Sequence, residues 1–171
     1  MRIPDIATTY VTAVHAALAQ TGLPPSGAGA PEPTGPGDYP AIDNIINLDE
    51  DSGLAEDRWL YGLTVIWEWH NPDGTDEHPE GPFWRWGKVT KGGRLQPLLS
   101  GDLPDLPVDG FAAPGVVAAT VRQLADTGAP GPALTERWDR ADELAAALGV
   151  WAAAEVAEYE RSVAGLPGAD V

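Results

Sequence analysis

Trp59, Tyr61, Leu63, Val65, Trp67 and Trp69 occupy every second position of one short run. An extended chain places all six on one face, whereas helical spacing scatters them. The intervening Leu60, Gly62, Thr64, Ile66, Glu68 and His70 are mixed in character. That combination fits a strand with one fully buried face and one partly covered face. Val65, Ile66 and Thr64 are stiff side chains favoured on a pleated surface, and the aromatic neighbours supply cross-strand packing area.

Residues 71–82 contain Pro72, Gly74, Pro79, Gly81 and Pro82. Proline lacks an amide donor and fixes its own φ, so this stretch is predicted as a loop. The following run, 83–90, then reads as an antiparallel return strand. Trp84 and Trp86 fall on one face, with Phe83, Arg85 and Val89 on the other. Register decides which of these meets Trp67 and Trp69, because a slip of one residue reverses every side chain.

Around this ribbon the chain is predicted to divide into an N-terminal helix (1–22), a flexible Pro/Gly linker (23–40), an α+β domain (41–165) and a frayed tail (166–171). In the first helix Ile6, Tyr10, Val14 and Leu18 recur at the spacing of one face, while Thr8, Thr12, Ala16 and Ala19 form a nearly uncharged opposite face. Ala41–Leu48 is expected to be a strand. Residues 94–99 are a less certain β element that Pro97 confines to an edge or an early end. Helices are predicted from Pro114 to Gly128, and over two further stripes: Trp138, Ala141, Ala145 and Leu148, then Ala152, Val156, Tyr159 and Val163. Gly149 either separates those stripes or is tolerated within one helix. The expected fold is α+β: a small antiparallel sheet of three to four strands covered by helices, a two-layer sandwich.

At 171 residues the chain is long enough for one core. It has no cysteine, which excludes disulfides and thiolate chemistry. No apolar run approaches the ~20 residues of a spanning helix, and Thr, His and Gln interrupt the apolar positions of the amino terminus. The expectation is a cytoplasmic protein that avoids membranes. Twenty-six acidic against ten basic residues give a formal charge of -16. Such a field serves solubility, repels nucleic acid and attracts basic surfaces. The basic island Arg85, Lys88, Lys91 and Arg94 is too small to reverse it, and balances the acids of 38–80.

Chemistry-bearing motifs are weak. Glu68, His70 and His78, among the loop acids, offer the donors of a small metal-dependent hydrolase, yet their spacing matches no ligand pattern. Glu68 is the acid whose burial would raise its pKa, unless Arg85 pairs with it across the hairpin. The run 49–53 begins like a calcium loop, but its glycine comes one position early and its twelfth position is Leu60. No phosphate loop, nucleophile elbow or zinc-protease helix is present. No catalytic residue, metal site or cofactor is therefore assigned.

The leading expectation is a non-enzymatic binding module that docks to a basic protein partner. Asp49, Glu50, Asp51, Glu56 and Asp57 are its first contact residues, followed by Asp73, Asp76, Glu77 and Glu80. An inhibitor or immunity factor is the sharper form, since carboxylates spaced about 6–7 Å apart along a strand can imitate phosphates. A third expectation is an assembly subunit that self-associates through the first helix or the tryptophan hairpin.

Overall fold

The computed structural model describes residues 2–27, 29–35, 39–71, 81–96 and 103–164. Its strands are β1 (Glu32–Pro33), β2 (Ala41–Leu48), β3 (Leu63–His70), β4 (Phe83–Val89) and β5 (Leu95–Gln96). All neighbours pair antiparallel, and the sheet order follows the chain. The helices are α1 (Asp5–Gln20), α2 (Pro114–Thr127) and α3 (Ala141–Ala164). The fold is α+β, with five strands rather than three to four. The addition is β1, a two-residue edge strand too short to carry a periodic signal, while β5 falls within the expected element at 94–99.

The hairpin register sets Trp67 opposite Trp84 and Val65 opposite Trp86. On the other side Trp69 faces Ile42, Val65 faces Ile46 and Leu63 faces Leu48. Directly paired residues share a face, so one side of the sheet is almost continuously apolar. The three helices bury it. Tyr10 of α1 meets Trp67 edge-on at 5.5 Å and Trp84 at 6.3 Å. Trp151 of α3 meets Trp69 at 6.2 Å. The Trp59 indole donates to the Ala125 carbonyl of α2 at 2.8 Å, and the Trp67 indole donates to Gly110 at 2.9 Å. Burial of the Trp59 and Trp67 rings thus leaves their polar tips satisfied.

The strand begins later than the alternation suggests. Gly62 has φ of 109°, a conformation that L side chains avoid, and Trp59 lies in the turn before it. Trp59 is nevertheless buried, whereas Tyr61 is exposed instead of joining the inner face. The backbone break at Gly62 ends the parity on which its burial was expected.

Pro114 opens α2 and Gly128 closes it in the left-handed conformation, as the sequence predicts. The last two stripes form one helix, with Gly149 inside it. Trp138 precedes this helix rather than belonging to it; its amide donates to Phe111 at 2.8 Å, and its ring tilts against Tyr10 at 5.0 Å. The buried residues of α3 end at Ala152, so its second half extends beyond the core. The 23–40 stretch contributes buried Leu23 and strand β1. β5 covers residues 95 and 96 of the expected β element, and residues 97–99 lie outside the described residues.

The far face of the sheet is covered too, so a simple two-layer picture is incomplete. Thr64, Ile66 and Glu68 are buried there. Residues 103–108 run beside β4: Trp86 N donates to Pro104 O at 3.1 Å and Leu106 N to Trp84 O at 2.7 Å. A Cβ at Gly110 would collide with the Pro82 carbonyl, so this close approach requires glycine. Among the described residues no helix is long and apolar enough to cross a membrane.

Tyr10 sits at the junction of α1, the sheet and the 103–112 segment, with its hydroxyl donating to the Ala112 carbonyl at 2.9 Å. Tyr10→Phe is expected to lower the unfolding free energy by about 1–2 kcal/mol. Urea melts should show a lower midpoint at an unchanged m-value.

Candidate functional site

Two regions gather chemistry-bearing side chains. The first is the end of the sheet where β2 turns into β3 and β4 into β5. Residues Glu50–Ser52 form a short 3-10 turn. The Asp49 carboxylate accepts the Asp51 amide at 3.0 Å, and Ser52 Oγ accepts the Asp49 amide at 3.1 Å while donating to Pro24 O at 2.6 Å. Asp49 therefore shapes the turn. Glu50, Asp51, Glu56 and Asp57 are left exposed around it.

Beside these acids, Leu60 is 68% and Tyr61 45% exposed. A shallow depression of about 310 Å³ joins Asp49, Glu50, Leu60, Tyr61, Val89 and Lys91. It continues through Tyr61 and Val89 into another of about 430 Å³ floored by Ile45, Thr64 and Leu95. Lys88 lies over the Trp59 ring at 5.0 Å, while Lys91 and Arg94 are exposed on the β4–β5 turn. Acidic and basic groups thus flank a strip of exposed apolar surface. Asp73, Asp76, Glu77 and Glu80 lie outside the described residues.

The second region is the far face of the sheet. Glu68, only 5% exposed, pairs with Arg85 across the hairpin at 2.8 Å. Arg85 also reaches Asp105 at 3.4 Å and lies over the Phe83 ring at 5.2 Å. Asp43 faces Glu68 directly across β2 and β3. Burial pushes the Glu68 carboxyl above the ordinary range; Arg85 pulls it back, and Asp43 and Asp105 push it further up. Burial likewise raises Asp43, against the lowering effects of the Thr34 hydroxyl, His70 and Arg85. The importance of Asp43 and Asp105 was not legible in the sequence, because only the register and the return of 103–108 bring them to Glu68 and Arg85. The usable signal was the shared parity of Asp43 and Ile45 within β2.

The hydrolase expectation joined Glu68, His70 and His78. Glu68 and His70 do share a strand face, but Glu68 is engaged by Arg85 and His70 lies edge-on to Tyr39 at 6.1 Å. His78 lies outside the described residues. Among the described residues no three His, Asp or Glu side chains are grouped to hold a metal. On α1, Thr8, Thr12, Ala16 and Ala19 of the nearly uncharged face are exposed. No protein-family profile, curated protein or solved structure matches the chain.

Because Asp43 and Glu68 hold protons more tightly in the fold than in the unfolded chain, the stability they confer is complete below the unfolded carboxylate value. It is lost as pH rises through their raised folded values. Arg85 limits that loss. Arg85→Leu is expected to cost about 3 kcal/mol at neutral pH and distinctly less at about pH 4, where a proton on Glu68 removes the uncompensated charge. Urea melts at the two pH values check the difference.

Proposed function

We propose that this chain is an acidic binding module that docks a basic protein partner at the end of the sheet formed by residues 49–61. The observation that carries the reading is the exposure of Leu60 and Tyr61 in a depression shared with Asp49 and Glu50, with Asp51, Glu56 and Asp57 exposed on the same 49–61 segment. Large exposed apolar side chains next to charged groups combine the two requirements of specific docking. The carboxylates accelerate encounter with a positive surface, and the apolar anchors slow dissociation once water is expelled. The formal charge of -16 extends the attraction beyond the contact itself. Lys91 on the wall of the depression, with Arg94 exposed on the same turn, restricts the orientations in which a uniformly basic surface can approach. Blocking a basic enzyme, as an inhibitor or immunity factor does, is the narrower form of the same reading.

The test is capture from a cell extract by the immobilised protein at about 0.05 and about 0.5 M salt. A basic protein should be retained at the lower salt and released at the higher. Leu60→Ser with Tyr61→Ser, and separately Glu50→Lys with Asp51→Lys, should each reduce retention at least ~10-fold, equivalent to about 1.4 kcal/mol. Undiminished retention by both double variants would place any binding elsewhere and overturn the proposal.

A further inference from the structure

In a chain with twenty-six acids and ten bases, a cation finds a carboxylate easily, and most do. Arg2, Arg85, Arg122, Arg137 and Arg140 each reach one. Arg58 and Arg161 donate instead to backbone carbonyls of α2 and α3. Among the described residues, Lys88, Lys91 and Arg94 form no ion pair, and they share one corner of the sheet, on β4 and the turn that follows it. Cations left together without partners repel one another, a cost that a bound anion would remove.

Lys88 and Lys91 line a depression of about 240 Å³ with Arg58, Tyr61, Thr90 and Gln96, and among the described residues no acid borders it. Two tight turns form its rim: Gly62 N donates to Trp59 O at 2.9 Å, and Gly93 N donates to Thr90 O at 2.9 Å. Lys88 lies over the Trp59 ring at 5.0 Å, which favours one position for its ammonium group. The Thr90 hydroxyl and the Gln96 amide add neutral donors. Tyr61 and Val89 also line the apolar depression of about 430 Å³ floored by Ile45, Thr64 and Leu95, so the two are continuous. There Thr64 Oγ1 donates to Asn47 Oδ1 at 3.0 Å, which leaves the Asn47 amide hydrogens available to an acceptor.

We propose that this corner binds a nucleoside monophosphate, with the phosphate between Lys88 and Lys91 and the base stacked on Tyr61 over the apolar depression, one edge at the Asn47 amide. A phosphate monoester carries close to two negative charges at neutral pH, matching two ammonium groups where a single carboxylate would leave one unmet. Lysine meets phosphate as a point charge and needs no bidentate geometry. The exposed Tyr61 ring offers a face on which any base can stack. The formal charge of -16 opposes an anion at long range, but salt screens that field beyond about 8 Å. Asp49, on the border of the apolar depression, is turned into its own loop by the Asp51 amide and the Ser52 hydroxyl. The site shares Tyr61 and Lys91 with the docking surface, yet it rests on the cations of that end and not on its acids.

Titration of the full chain with inorganic phosphate, adenosine and AMP, followed by amide chemical shifts at about 0.15 M salt, tests it. AMP should move the amides of Asn47, Tyr61, Lys88 and Lys91, and bind at least ~10-fold more tightly than adenosine or phosphate alone. Lys88→Gln with Lys91→Gln should bring AMP down to the affinity of adenosine and leave adenosine unchanged. Tyr61→Ser should weaken adenosine and AMP alike while leaving phosphate as it was. The lysine double variant also separates this site from the docking reading: it removes positive charge, so retention of a basic protein should hold or rise as AMP binding is lost. An AMP affinity no better than that of phosphate, shifts confined to other amides, or AMP binding undiminished in the lysine double variant would overturn the proposal.

Discussion

The alignment of Trp67 with Trp84 across the central hairpin is the constraint on which the rest of the structure depends. Because side chains alternate along a strand, fixing that one pair assigns every residue of β2, β3 and β4 to a face. Indoles and aliphatic chains go toward Tyr10, Trp138 and Trp151, where helices exclude water from them. The same choice sends Asp43, Glu68 and Arg85 to the far side. A shift of a single residue would bury Glu68 among the helices and expose the tryptophans, an exchange that no rearrangement of loops could offset.

This dependence explains what the sequence disclosed and what it hid. Alternation from Leu63 to Trp69 was legible because both burial and β-branched side chains point the same way, and the hairpin followed from the proline-rich interruption. The Glu68–Arg85 pair was likewise anticipated as one outcome of that hairpin. Parity alone could not show that Gly62 breaks the pattern before Leu63, which leaves Tyr61 outside the core. Nor could it distinguish Trp138 in a turn from Trp138 in a helix, since either conformation allows its ring to reach Tyr10. Asp105 is distant in sequence and becomes relevant only when residues 103–108 return beside β4.

Charge in this molecule is organised by position rather than by total. Arg85 is enclosed with Glu68, whereas Lys91 and Arg94 stand in water on the β4–β5 turn. Screening weakens the exposed charges within about 8 Å at physiological salt, but it acts far less on the enclosed pair. The basic residues that look like one island in the sequence are therefore two physically different groups. One holds the far face of the sheet together, and the other adjusts the field around exposed Leu60 and Tyr61.

The second half of α3 has a mechanical consequence. Full burial along the helix stops at Ala152 and residues 154–156 are half-buried, so the exposed end runs from Ala157 to Ala164, a rod of roughly 12 Å at the usual helical rise. Anchored at one end by Leu148 and Trp151, it behaves as a cantilever: small rotations about its root become displacements of several ångströms at its tip.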